Sequence, residues 1–258
     1  MGILAVKSAA RAIEVLECFG AAREPKSLKS ICEMLRYPQS STSVLLKTLT
    51  VMGYLNYDRR RRVYFPTLKV TALGDWVPQA LFGNGRALEA MRDVHSATGE
   101  TVSIAVKNDI YFQYIKVIQS MHALRFHVSE GTMRPLTQSA VGWLLMSTLK
   151  GDDLDNVIRR ANIAAGKAEA VKVPAMVATV AQARRQGYAS AENVPFLGGA
   201  TLCVLLPMTI QGQPVALGLG GSLERIRANR TRYLAALKRC ARELRGIGGG
   251  ELGFDIEF

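Results

Sequence analysis

Four consecutive arginines, Arg59–Arg62, stand between two aromatic-rich segments, Tyr54-Leu55-Asn56-Tyr57 and Val63-Tyr64-Phe65. Four guanidinium groups in a row cannot pack in a core. Their natural counter-charge is a polyanion, reached by phosphate contact or by insertion into a narrow minor groove. An ordinary solvated turn would carry the same residues. Upstream lie Gln39, Ser40, Ser41, Ser43 and Lys47. A DNA major groove is read by such groups: Gln can pair bidentately with adenine, and Ser can donate to bases or phosphates. Helix capping alone could also select the serines. Gly218-Leu219-Gly220-Gly221 faintly suggests a phosphate cradle, but it lacks the GxxxxGK[ST] spacing and an acidic residue about 20 positions on. No GxSxG elbow, HExxH helix or spaced carboxylate pair stands out. Catalysis is therefore not expected, and no catalytic residue or cofactor is assigned. Cys18, Cys32, Cys203 and Cys240 lack metal-ligand spacing, and His95, His122 and His127 are too few for a His-rich centre, so no metal is assigned.

These residues act together only if the chain folds them onto one face. Ala9, Ile13, Leu16 and Phe19 recur at helical spacing, with Gly20 as a stop. Ser27 is a good N-cap for a second helix with Leu28, Ile31, Cys32 and Leu35 on its apolar face; it is also counted among the DNA-facing residues. Tyr37-Pro38 breaks that helix. A third helix is predicted from about Gln39 to Met52, ending at Gly53, with Leu45, Leu49 and Met52 inward and Ser40, Ser43, Lys47 and Thr50 outward. The two aromatic segments then form a β-hairpin with the arginines at its tip. Helix, helix–turn–helix and basic hairpin is the order of a winged helix.

A connecting helix is expected over 70–85, kinked at Pro78, with a boundary at Gly83-Asn84-Gly85. Beyond it the pattern alternates. Helices are predicted at 86–98, 139–149, 152–160, 173–186 and 231–244, and strands at 102–107, 111–117, 124–128, 202–208 and 215–219. Strand pairs joined by tight turns indicate an α+β fold with an antiparallel sheet. The division is then 1–69 for the winged helix-turn-helix, 70–85 for the linker helix, 86–248 for a second domain and 249–258 for a glycine-rich tail.

The chain resembles the IclR family of transcriptional regulators over nearly its whole length. The likeness rests on Ser8-Ala9-Ala10-Arg11-Ala12-Ile13-Glu14-Val15-Leu16, on Pro38-Gln39-Ser40-Ser41 through Leu45-Leu46-Lys47-Thr48-Leu49, and on Gly53-Tyr54-Leu55. Further on, Gly131, Pro135-Leu136, Ser139-Ala140-Val141-Gly142, Gly187-Tyr188, Gly198-Gly199 and Leu205-Leu206-Pro207 follow the same pattern. Where the family usually has a basic residue or His, this chain has Ser43 and Val44. The resemblance implies a GAF-like effector-binding domain, with an effector contacting Ala140, Val141, Ala191, Glu192, Thr201, Cys203, Gly218 and Gly220. It also implies small organic or aromatic acids as effectors. A helix start offers N–H groups to a carboxylate, and strand glycines leave room for a ligand.

Composition agrees with this class. The 258 residues carry a formal charge of +12, and residues 1–75 hold 12 Lys and Arg against 6 Asp and Glu. The basic end is thus the N-terminal third, as a nucleic-acid footprint requires. No apolar run reaches the roughly 18 residues of a membrane span, and Met1–Val6 is too short for a secretory signal, so a cytoplasmic protein is expected. The expected partners are double-stranded operator DNA, a small-molecule effector and a second copy, as a homodimer or tetramer. A ligand-sensing or protein-interaction module that does not touch DNA is the alternative, and an enzyme a more distant one.

Overall fold

The computed structural model describes residues 6–77, 82, 85–166 and 169–245. The chain divides into two compact units, Met1–Pro78 and Gln79–Phe258.

The first unit contains α1 (Lys7–Ala22), β1 (Lys26–Ser27), α2 (Leu28–Leu35), α3 (Gln39–Val51), β2 (Leu55–Asp58), β3 (Val63–Pro66) and the short α4 (Lys69–Ala72). Its antiparallel sheet has the order β1-β3-β2. Val15, Phe19, Ile31, Leu46, Leu49, Leu55 and Tyr64 form its core. Two helices sit in a different phase from the sequence expectation. In α1 the inward residues are Val15, Cys18 and Phe19, while Ile13 is exposed. In α3 they are Thr42, Leu46 and Leu49, while Met52 is exposed. The Leu45-Leu46 doublet supports either phase from sequence. Burying Leu46 completely leaves Thr42 inside, where its hydroxyl donates to the Pro38 carbonyl at 2.9 Å. The 70–85 segment is helical over Lys69–Ala72, turns over 73–76, and is helical again at the described residues Val77 and Phe82. Pro78, Gly83, Asn84 and the 249–258 tail lie outside the described residues.

The second unit is a six-stranded antiparallel sheet of order β6-β5-β4-β9-β8-β7. Its strands are β4 (Thr101–Asn108), β5 (Tyr111–Ile118), β6 (Met133–Pro135), β7 (Tyr188–Glu192), β8 (Gly199–Ile210) and β9 (Gln213–Ser222). Its helices are α5 (Arg86–Thr98), α6 (Ala140–Met146), α7 (Gly151–Ala165), α8 (Val173–Gln186), α9 (Leu223–Ala228) and α10 (Arg230–Arg245). The period of two along each strand sorts side chains to opposite faces. Val102, Ile104, Leu202, Val204, Leu217 and Leu219 pack with α5 and α10. Ala105, Ala189, Ala191, Cys203 and Ala216 pack with α6, α7 and α8. The small residues let α6 lie close to the sheet. The segment 124–128, expected as a strand, is irregular, and β6, β7 and α9 were not anticipated. In β7 the run Tyr188-Ala189-Ser190-Ala191-Glu192 has little β-branched or aromatic content; pairing with β8 imposes its conformation.

Gly142 shows how tight the α6 face is. A Cβ there would stand 2.1 Å from the backbone oxygen of Leu136. Gly142→Ala should therefore cost about 2–3 kcal/mol in denaturant unfolding, and an unchanged midpoint would contradict this packing.

Candidate nucleic-acid interface and ligand pocket

Ser27, Lys29, Gln39, Ser43, Lys47, Tyr57 and Arg62 line one concave surface formed by α2, α3 and the hairpin. Five of the ten residues singled out for DNA from sequence thus meet there: Ser27, Gln39, Ser43, Lys47 and Arg62. Ser40 and Ser41 are exposed on the first turn of α3, and Arg59, Arg60 and Arg61 are exposed at the hairpin tip. Ser27 is also an N-cap, its Oγ accepting from the Ser30 N–H at 3.2 Å. The Ser41 hydroxyl donates to the Pro38 carbonyl at 3.1 Å. Among the described residues the polar ends of Gln39, Ser40 and Ser43 have no hydrogen-bond partner, and neither Lys47 nor Arg59–Arg62 is in an ion pair.

The hairpin tip is built by Asp58. Its carboxylate accepts from the backbone N–H groups of Arg60 at 2.8 Å and Arg61 at 3.0 Å, closing an Asx turn. Arg62 then takes a left-handed φ of 55°. The turn holds itself through backbone contacts and leaves the guanidinium groups free. Lys29 and Tyr57 were not assigned from sequence; Lys29 is two positions past the Ser27 cap, which is a usable signal.

A pocket in the second unit encloses about 60 Å³. Arg134 from β6, Phe126 and Phe196 from two loops, and Thr101, Ser103, Thr201 and Gly220 from the sheet contribute to its wall. The Phe126 and Phe196 rings stack with planes 4° apart and centroids 5.4 Å apart. The Arg134 guanidinium lies over the Phe196 ring, 4.8 Å from its centroid. The Arg134 Nε is buried without a hydrogen-bond partner among the described residues. Burial pushes the Tyr114 hydroxyl pKa up, against the opposing pull of Arg134. The hydroxyls of Ser103 and Thr201 have no partner among the described residues, whereas the Thr101 Oγ1 accepts from the Ser120 N–H at 3.1 Å.

The eight effector candidates separate. Val141, Thr201 and Gly220 line the pocket. Gly218 makes room behind it: a Cβ there would stand 3.1 Å from the Ser103 Oγ and 3.3 Å from Val141. Ala140, Ala191 and Cys203 are buried in the core beyond the wall. Burial pushes the Cys203 thiol up to about 12. Glu192 is exposed and paired with Arg227 at 2.5 Å, which holds its carboxyl below the usual range. At the start of α6, the Ser139 hydroxyl already accepts the Val141 N–H at 3.3 Å. Arg134, Phe126 and Phe196 were missed because the two rings come from loops far apart in sequence.

Beside the pocket, Glu100 is fully buried and receives Arg225 Nε at 2.7 Å and Nη2 at 3.0 Å. Arg225 Nη2 also donates to the Leu124 carbonyl at 3.1 Å, holding the loop that carries Phe126. A Cβ at Gly221 would stand 2.2 Å from Glu100 Oε2, so that glycine serves the ion pair. Arg225→Ala should cost about 3–5 kcal/mol in unfolding experiments, because it strands a buried carboxylate; a loss under about 1 kcal/mol would contradict the pairing.

Family comparison covers both units. Residues 85–245 match "Bacterial transcriptional regulator IclR C-terminal", and residues 8–59 match "IclR helix-turn-helix domain". The chain is 24% identical over 243 residues to the HTH-type transcriptional regulator KdgR of Escherichia coli (strain K12), covering 93% of this chain and 91% of that one. It is 54% identical to the effector domain of the transcriptional regulator IclR from Acinetobacter sp. ADP1, covering 66% of this chain and 99% of that structure, with a TM-score of 0.62. The Thermotoga maritima IclR structure shares the fold at 17% identity, covering 93% of this chain and 99% of that one, with a TM-score of 0.71.

Proposed function

The chain belongs to the IclR family of bacterial transcriptional regulators, and on that premise we propose that it binds operator DNA through α3 and the arginine hairpin under the control of a small organic acid. In this reading Gln39, Ser40, Ser41, Ser43 and Lys47 face base edges and phosphates, and Arg59–Arg62 hold the backbone. A reader of this size makes few base contacts, so two copies act together and their spacing sets that of the half-sites. The family's members are regulators, not enzymes, and no described helix is long and apolar enough to cross a membrane. The assembly is a homodimer or tetramer working in the cytoplasm, where operator DNA is met.

One observation carries the acid: Arg134, a cation in an apolar pocket with a buried Nε that has no partner among the described residues. A carboxylate supplies the acceptor that the Nε lacks, and the planar fork of the guanidinium favours a planar bidentate anion. Phe126 and Phe196 suit a flat apolar body attached to that carboxylate, and Ser103 and Thr201 can bond hydroxyl substituents at its far side. Aromatic carboxylates are therefore the leading effector class. A ring held beside Arg134 would also pack against the loops that carry the two phenylalanines. Binding is thereby coupled to loop position.

The test has two arms on the full chain. A carboxylate panel read by thermal unfolding should identify an aromatic acid that stabilises by about 2.7 kcal/mol at 100 times its Kd; stabilisation by uncharged analogues alone overturns the acid. DNA binding across salt should give a slope of log affinity on log salt near −7, if each of two protomers neutralises about four phosphates. A flat line overturns the DNA interface.

A further inference from the structure

Val44 stands 65% exposed on α3, and nothing in the fold calls for an apolar side chain there. Ser40, Val44, Lys47 and Val51 follow each other down one exposed stripe of the helix, while Thr42, Leu46 and Leu49 form the stripe turned to the core. Valine is also a poorer helix former than the polar residues that an exposed position could carry. The stripe is flanked by charge suited to a polyanion: Lys47 one turn on, and Arg62 on the same concave surface as Lys47.

An apolar group on a groove-reading helix has one matching feature in the major groove, the thymine C5-methyl. We propose that Val44 packs against a thymine methyl and that the operator carries thymine at the base pair beneath it. The proposal rests on the DNA-binding reading above. Ser40 and Lys47 bracket Val44 on the same stripe, and the Thr48 hydroxyl turns back to donate to the Val44 carbonyl at 3.0 Å. The valine methyls thus stand exposed near the middle of the stripe, with polar neighbours on either side.

The test uses the full chain and duplexes enriched by it from a randomised pool. Each thymine of an enriched duplex is replaced in turn by uracil, which removes only the methyl. Wild type should lose about fourfold in affinity at one position of each half-site, the factor expected from leaving one methyl-sized group unburied. Val44→Ala should bind the uracil and thymine duplexes alike, and Val44→Thr, which keeps a methyl, should retain the discrimination. Val44 is not part of the core of its unit, so both variants fold. If uracil is tolerated at every thymine, or if Val44→Ala discriminates as wild type does, the thymine contact is overturned while DNA binding stands. If the pool yields no enriched duplex, the DNA-binding reading fails and the contact fails with it.

Discussion

Replacing Arg134 with Met should raise the Kd for an aromatic carboxylate by at least about 30-fold in calorimetric titration. That is the consequence of losing one partner of a desolvated charge pair, which costs about 2–5 kcal/mol. Met preserves apolar volume over the Phe196 ring, so the loss reports charge rather than shape. Arg134→Lys keeps the charge but neither the planar fork nor the stacking over Phe196, and its affinity should fall between the two. The unliganded Met variant should unfold near the wild-type midpoint, because losing the contacts with Phe196 and Tyr114 is offset by removing a buried Nε without a partner among the described residues. A Met variant that binds the acid as wild type does would remove Arg134 from the site.

The second large effect belongs to the hairpin. A variant carrying Arg59→Ala, Arg60→Ala, Arg61→Ala and Arg62→Asn should bind DNA at least about 100-fold more weakly near 0.1 M salt. Its salt slope should be shallower by about 0.9 for each phosphate that is no longer neutralised. Asn is chosen at 62 because the backbone there has a φ of 55°, a conformation Asn tolerates. Asp58 secures the turn through backbone N–H groups, so the fold and its melting temperature should be retained. Unaltered affinity would mean that the tip is only a solvated turn.

The winged helix was legible because its signals are local. Ser27 caps α2 as its residue type suggests, the Pro38 break and Gly53 bound α3, and the arginine run falls where two aromatic strands must turn. Phase was less legible: two adjacent leucines in α3 permit either face, and only packing against α2 chooses Leu46. In the second unit the long alternating strands were readable, but β7 and β6 exist because neighbouring strands pair with them. The pocket was the least legible part. Gly220 and Thr201 could be placed from the family resemblance, whereas Arg134 acquires meaning only when loops bearing Phe126 and Phe196 close over it. Cys203 and Ala191 share the sheet face of Thr201 and Gly220, yet the helices packed on that face bury them in the core beyond the pocket wall.

The central claim is that an acid held at Arg134 controls the grip of α3 and the hairpin on DNA. The direct measurement is the affinity of the full chain for its own enriched duplex, at one salt concentration, with and without a saturating aromatic carboxylate. The expected result is a change of at least about fivefold in either direction, absent in Arg134→Met. An acid that binds, as thermal unfolding would show, yet leaves the duplex affinity unchanged would contradict it.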